Sequence, residues 1–255
     1  MTRTVRYLVV QFDTAIRPWE LLAFRGAIAR KAGWEHELFH NHDNASGGFH
    51  YRIPLIQYKQ ECGRALMLCL NEGIEELQHF FGRPDWTLEL NGRTAPIRIA
   101  RLQVKQYPLT VTRSLLRYHI RHWIALSQDN YRVYQALGNL VECLYFLQQI
   151  LRNQIVALYN QLHALPEERI EVHIQNLKDE RWVSYKGVKV LAFSIEFLSN
   201  AILPDYLGIG KGASVGWGVV KALRKPAKMT REQPKQADSQ YPVVHSTENP
   251  ADLNS

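Results

Sequence analysis

One long helical pattern, with strand patterns on both sides, restricts the possible folds of this chain more than any other feature. Between Tyr131 and Leu165 apolar residues recur at helical spacing, and Pro166 ends the pattern. The flanking segments are shorter and either alternate or are rich in β-branched and aromatic residues, which is typical of strands. A chain of 255 residues has room for two domains. This order predicts an α+β fold and argues against a doubly wound parallel sheet.

The first half, residues 1–107, is predicted to begin with a strand and a helix and to end with further strands. In chain order we expect a strand at residues 4–13, a helix from Trp19 to Ala32, a strand from Tyr51 to Lys59, a helix from Gly73 to Phe81, and one or two strands within Trp86–Tyr107. Asn91 and Gly92 have the residue types of a tight hairpin turn.

The second half, residues 108–221, repeats this order. We expect strands within Leu109–Leu126, the long helix, strands at Ile170–Ile174 and Val188–Phe197, and a last strand at Trp217–Lys221. A strand, a helix and paired strands in each half favour two ferredoxin-like domains in tandem. Residues 222–255 are polar and rich in proline, which predicts a disordered tail.

Composition and charge narrow the class of protein. The chain is 46% hydrophobic and 22% charged, as ordinary globular proteins are. It has no apolar run near the roughly 18 residues of a membrane span, and its N-terminus lacks a signal-peptide core. Its three cysteines have no metal-ligand spacing, so we expect free thiols in the cytoplasm. A formal net charge of +7 is compatible with a polyanionic partner but does not identify one.

The segment from Gly208 to Gly218, GIGKGASVGWG, predicts close approach of the backbone to another group. Its glycines permit unusual backbone angles, and Lys211 adds a positive charge, a combination that suits a phosphate. A Walker A loop is excluded because Gly212, and not Ser or Thr, follows Lys211. A dinucleotide fingerprint would need a helix and an acidic residue downstream, whereas a polar tail follows. A nucleic-acid backbone is favoured, with a structural loop and a nucleotide site left as alternatives.

Histidines cluster between His36 and His50. His40 and His42 are two residues apart, so they share one side of an extended segment and could act together as general acid and base. A metal site built from these two histidines and Asp43 is an alternative, but no further ligand set has convincing spacing, and we expect none. His119 and His122 lie in an aromatic strand region and are expected to be packed.

Three segments together resemble the b-type branch of the CRISPR-associated repeat-RNA-processing endoribonucleases. They are LFHNHDN at residues 38–44, YRIPLIQYK at residues 51–59 and PDYLGIGKGASVGWGV at residues 204–219. The resemblance spans roughly residues 5–221 and implies two tandem ferredoxin-like domains. It also implies cleavage of CRISPR precursor RNA within each repeat, without metal or cofactor, by attack of a ribose 2′-OH. A subunit that binds repeat RNA without cutting it is the alternative.

The resemblance also assigns residues. It implies acid and base roles for His40 and His42, without saying which is which, and a phosphate-orienting role for Tyr51. Lys31 falls near the position of a lysine that stabilises the phosphorane, although the spacing is longer here. His50, beside Tyr51, departs from the family pattern and could replace one of the pair.

RNA contacts are expected at the C-terminal side of the chain. The predicted contacts are the loop residues Gly208, Gly210, Lys211, Gly212, Gly216 and Gly218, together with Arg113, Arg117 and Arg121, which recur every four residues and form a basic stripe. A solvated charged face is the alternative for the stripe. Expected partners are repeat RNA and other CRISPR interference subunits, with no membrane, and the protein is expected to be a monomer or a homodimer.

Overall fold

The computed structural model describes residues 4–33, 35–39, 53–83 and 85–223. In chain order these residues form β1 (Thr4–Ala15), α1 (Leu21–Ala32), β2 (Ile56–Glu61), β3 (Arg64–Leu70), α2 (Glu72–Phe81), β4 (Thr87–Leu90), β5 (Arg93–Pro96), β6 (Ile99–Pro108), β7 (Val111–Trp123), α3 (Gln128–Ala136), α4 (Leu140–Gln161), β8 (Val172–Tyr185), β9 (Val188–Ala201) and β10 (Val219–Ala222). Single 3-10 turns precede α1 and lie at Glu37–Phe39.

Two four-stranded sheets share one topology. The first has the order β2-β3-β1-β6 and the second the order β10-β7-β9-β8, with all neighbours antiparallel. Within each sheet the spatial order is therefore second, third, first, fourth strand, read from one edge or the other. That is the strand order of a ferredoxin-like domain, and the predicted α+β fold is confirmed. The hairpin of β4 and β5 is added to the first half.

The predicted single helix from Tyr131 to Leu165 is wrong, because the structure divides it into α3 and α4. Leucine spacing continues across the break, but Asn139 has extended backbone angles and its side chain accepts a hydrogen bond from the N–H of Glu142. Such a cap starts a new helix, and its residue types compete with helix propagation. Local capping therefore overrides the apolar period.

Two strand predictions also need correction. Trp86–Tyr107 contains three strands, not one or two, with Asn91 and Gly92 at positive φ in the turn between β4 and β5. Strand β8 continues to Tyr185, well beyond the predicted end at Ile174. Its second part is mostly exposed on both faces, so it carries no apolar alternation for a sequence pattern to show.

The first sheet is buried on both faces. In β3, Ala65, Met67 and Cys69 pack with the helices of the first half, whereas the alternate leucines at 66, 68 and 70 join the core of the second half. Burial on two faces explains why this antiparallel strand is almost continuously apolar. The two halves thus meet through an extended apolar interface. No helix in the described part of the chain is both long and apolar enough to cross a membrane.

Candidate functional site

Strand β2 holds the glycine-rich loop, which we define as Gly208–Gly218. The Gly208 N–H donates a 2.8 Å hydrogen bond to the Gln57 side chain, and the Lys59 ammonium donates to the Ala213 carbonyl oxygen. Between them, the backbone N–H of Tyr58 donates to the Ser214 carbonyl oxygen at 2.7 Å. The loop therefore docks on an edge strand of the other half of the molecule.

Glu61, at the end of the same strand, continues this contact. Its carboxylate accepts from Arg121 at 3.1 Å and from Lys221, so one acid of the first half binds two cations of the second half. The Lys221 ammonium also lies 4.9 Å from the centroid of the Tyr206 ring. Residues 57, 59 and 61 share one side of the strand because side chains alternate.

Lys59 is an unusual element of this joint. Its side chain is 1% exposed, although lysine is almost never fully buried without an acidic partner. Burial lowers the pKa of Lys59 from 10.5 to about 7, since removal from water disfavours the charged form. The joint therefore contains an ammonium group that loses its proton near neutral pH.

Two loop glycines are required by packing within the protein. A Cβ on Gly208 would lie 2.6 Å from both the Ala213 carbonyl oxygen and the Lys59 ammonium nitrogen. Gly218 has φ +60, and a Cβ there would overlap the Ile209 carbonyl oxygen. The N–H of Gly218 donates to the His122 carbonyl oxygen at 3.1 Å. The half-buried Gly210, Lys211, Gly212 and Gly216 are thus the loop residues that remain able to meet RNA.

An aromatic group lies beside this accessible part of the loop. The half-buried Trp217 ring makes edge contacts with His122 and Tyr185, with centroids 6.2 Å apart in each case. Arg25 of α1 lies near the Tyr185 and Tyr58 hydroxyls, and burial lowers the pKa of Arg25. Indole and guanidinium groups stack on bases and bind phosphates. The sequence analysis missed Arg25 and Tyr185, because their proximity arises only when α1 and the β8–β9 hairpin meet.

The basic stripe on β7 is partly neutralised. Arg113, Arg117 and Arg121 share one face of the strand, as predicted, but Arg117 pairs with Glu196 at 2.7 Å. Lys178 binds the same carboxylate at 3.1 Å, and Arg121 is paired with Glu61 as described above. Exposed pairs exchange partners readily because each is worth little in water. The stripe is a charge network with Arg113 at its end.

The two strand histidines are half-buried or at a strand irregularity. Burial lowers the pKa of both His119 and His122, which favours the neutral imidazole. His122 has φ +49 where the pairing of β7 with β9 shifts register, and its carbonyl oxygen receives the Gly218 N–H. Its backbone therefore serves the attachment of the loop.

Of the predicted catalytic residues, the structure describes Lys31. Its ammonium donates to the Asp85 carbonyl oxygen and to the Asp85 carboxylate, both at 2.7 Å, and its side chain is 15% exposed. An ammonium has three donors, so one remains for a phosphate. His40, His42, His50 and Tyr51 lie outside the described residues, as does Asp43.

Both ends of segment 40–52 are anchored at described residues. Phe39 is fully buried in the core of the first half, and its carbonyl oxygen accepts from the Tyr58 hydroxyl at 3.3 Å. At the other end, the Ile53 N–H donates to the Gln161 side chain of α4 at 2.5 Å. The segment that carries the histidine pair thus starts in the first half and ends on a helix of the second.

Comparison with known proteins gives two family matches. The model of the Cas6b N-terminal domain matches residues 3–108, and that of the Cas6b C-terminal domain matches residues 110–223. A curated relative, an uncharacterized protein of Methanocaldococcus jannaschii, is 33% identical over 134 residues, which is 52% of this chain and 90% of that protein.

Solved structures share the fold. A Cas6b crystal structure superposes with a TM-score of 0.78 at 25% identity, covering 87% of this chain and 100% of that one. A second, titled as a CRISPR RNA processing endoribonuclease Cas6b, gives a TM-score of 0.66 at 22% identity with the same coverage. A Cas6 product complex superposes at 0.51 with 12% identity, covering 86% of this chain and 99% of that one. The latter two likenesses concern the fold alone.

Proposed function

Because the chain belongs to the Cas6b family, we propose that it is a CRISPR RNA-processing endoribonuclease that cuts precursor RNA within repeats. The observation that carries this proposal is the match of both Cas6b domain models, which together extend from residue 3 to residue 223. A solved Cas6b of the same fold is titled as such an enzyme. Fold alone does not imply function, so the activity must be argued from residues and tested.

In the proposed reaction the RNA supplies its own nucleophile. A ribose 2′-OH attacks the adjacent phosphorus as a base takes its proton, and the P–O bond to the 5′ oxygen breaks as an acid protonates that oxygen. The products are a 2′,3′-cyclic phosphate and a 5′-hydroxyl end. No metal or cofactor takes part in these steps. Two imidazoles suit the proton transfers because their ordinary pKa is near neutrality, and each contributes about 10²–10⁴-fold.

We assign the proton transfers to His40 and His42 and the positioning of the phosphate to Tyr51. Lys31 would stabilise the phosphorane with the donor that Asp85 leaves available. The Asp85 carboxylate keeps this ammonium charged and fixes its position, and the hydrogen bond from Lys31 lowers the pKa of Asp85 in turn. The lysine therefore acts from the end of α1, beside the start of the histidine segment.

We further propose that repeat RNA binds along the joint between the two halves. Supporting features are Lys211 and the accessible loop glycines, Trp217 and Arg25 beside them, and Arg113 with its neighbours on β7. Phosphate contacts by such cations would make binding strongly dependent on salt. The proposed domains are residues 1–107, which carry the catalytic segment, and residues 108–221, which carry the glycine-rich loop, with residues 222–255 as a tail. The proposed location is the cytoplasm, where other interference subunits would join as partners.

The experiment is to incubate the chain with repeat RNA of its own CRISPR array in excess EDTA. We expect a single cut within the repeat, with a cyclic phosphate on the upstream product. The His40→Ala/His42→Ala variant should bind the RNA as the wild type does and cleave it at least about 10³-fold more slowly. Wild-type binding without cleavage would instead favour a structural subunit. Cleavage by the double variant at the wild-type rate would exclude these histidines.

A further inference from the structure

A cluster of two imidazoles and a carboxylate lies outside the proposed RNA site. His36 follows α1, whereas Glu76 and His79 lie one turn apart on α2. One ligand atom from each of the three residues lies within 4.8 Å of the other two. Residues three apart on a helix project from the same side, so both α2 side chains can face His36.

The contact between His36 and Glu76 is not an ordinary hydrogen bond. The His36 Nδ1 atom lies 2.9 Å from the Glu76 Oε2 atom, yet that oxygen is buried and accepts no hydrogen bond from any described residue. A buried carboxylate oxygen without a partner is costly and requires an explanation. Two lone pairs that point at one shared ion would give this geometry, because adjacent ligands of a metal lie about 3 Å apart.

The two histidine rings also favour this reading. The His36 and His79 rings stack with centroids 3.8 Å apart and an angle of 25° between planes. Two imidazolium cations would repel at this distance, so the arrangement requires that at least one ring is neutral. Neutral imidazole is the form that binds metals.

Neighbouring contacts hold the ligands in place before any ion binds. Arg83, just beyond α2, donates to the Ala32 carbonyl oxygen at 2.7 Å, and Lys31 is tied to Asp85. The ends of both helices are therefore fastened together on either side of the cluster. The Glu35 carboxylate lies 3.7 Å from the other ring nitrogen of His36. A carboxylate in that place orients a ligating histidine in many metal sites.

We propose that His36, Glu76 and His79 bind one divalent transition-metal ion of the zinc class, with water in the fourth position. Two histidines and one glutamate are a known ligand set for Zn²⁺, at about 2.0–2.2 Å from each ligand atom. A tetrahedral site needs ligand atoms about 3.3 Å apart, and rotation of the exposed His79 side chain can close the remaining gap. The ion would fix His36, four residues before His40, onto α2. It would take no part in RNA cleavage.

The test is Zn²⁺ binding to the tag-free, chelator-stripped chain, measured without RNA by competition with a chromogenic chelator. We expect one equivalent of Zn²⁺ per chain and a higher melting temperature when it is added. His79→Gln and Glu76→Gln should each weaken binding at least about 10-fold. His173→Gln, an exposed histidine beside Glu171, is the matched control and should bind as the wild type does.

A further variant distinguishes this site from the histidine segment. The His40→Ala/His42→Ala chain should keep its equivalent of Zn²⁺, with two imidazole nitrogens in the X-ray absorption spectrum of the ion. Loss of the ion in that chain, or unchanged binding by His79→Gln and Glu76→Gln, would overturn the proposal, as would the absence of stoichiometric binding. Because no RNA is present, these outcomes are independent of whether the chain is a ribonuclease.

Discussion

The two halves of the molecule have the same sheet order but differ in the connection between their third and fourth strands. In the first half, helix α2 and the β4–β5 hairpin fill this connection, and α2 packs on its own sheet. In the second half no described helix lies between β9 and β10, and the glycine-rich loop takes that place. The loop docks on β2 of the first half through Gln57 and Lys59.

This difference shows how a repeated fold acquires a functional joint. A helix satisfies its own backbone hydrogen bonds, whereas a loop must find partners elsewhere. The second half finds them on the exposed edge of the first sheet, which also removes an edge strand from solvent. The loop is therefore both a structural joint and the proposed RNA grip.

The largest effect is expected at Gly218. Gly218→Ala should lower the free energy of unfolding by at least about 3 kcal/mol, because a Cβ meets the Ile209 backbone at a positive φ. Gly92→Ala is the matched control: its φ is +82, but no atom lies within 4 Å of its Cβ. It should cost about 1–2 kcal/mol. Urea unfolding measures both, and equal costs would mean that the loop is not closely packed.

Much of this fold is predictable from local pattern, but the joint is not. The period of α1 and the turn at Asn91 and Gly92 depend on neighbouring residues, and the structure agrees with both. By contrast, alternate polar residues on β2 predict a solvent-facing edge, and the structure buries Gln57 and Lys59 there. Their partners lie about 150 residues further along the chain, so no local pattern contains them.

The same limit applies to the candidate site. Motif resemblance identified the family correctly, and it named Lys31, but it could not show that Asp85 holds the ammonium. Spacing placed Arg117 and Arg121 on one face, yet their neutralisation by Glu196 and Glu61 depends on other strands. Chemistry is local to a residue, whereas its electrostatic environment is a property of the fold.

A smaller effect is expected from Lys59, and it depends on pH. Its pKa of about 7 in the folded chain is below its model value of 10.5, so the unfolded chain binds more protons between these values. Stability therefore rises with pH across that window and is lost as pH falls through about 7. Lys59→Met should remove this slope, up to about 1.4 kcal/mol per pH unit.

Urea unfolding of the wild type and of Lys59→Met between pH 6 and pH 9 measures this effect. The two free energies should diverge in favour of the wild type as pH rises. Lys189→Met, which changes an exposed lysine, should give a curve parallel to the wild type. Parallel curves for all three chains would mean that Lys59 is not desolvated at the joint.

The smallest effect is expected at Lys211. Lys211→Ala should weaken repeat RNA binding about 3- to 10-fold and reduce the slope of log Kd against log salt by about 0.7–0.9, as loss of one phosphate contact does. Arg132→Ala, at an exposed arginine paired with Asp129 on α3, is the control and should leave the slope unchanged. Fluorescence anisotropy at several salt concentrations measures both, and an unchanged slope for Lys211→Ala would remove this lysine from the interface.

The most direct test of the central claim uses an altered substrate. Repeat RNA with a single 2′-deoxy sugar immediately upstream of the cut is incubated with wild-type chain in excess EDTA, beside unmodified RNA. We predict unchanged binding, cleavage of the unmodified RNA and no cleavage of the deoxy substrate, because the attacking 2′-OH is missing. Cleavage of the deoxy substrate at the same phosphate, or loss of all cleavage in EDTA, would contradict the proposed mechanism.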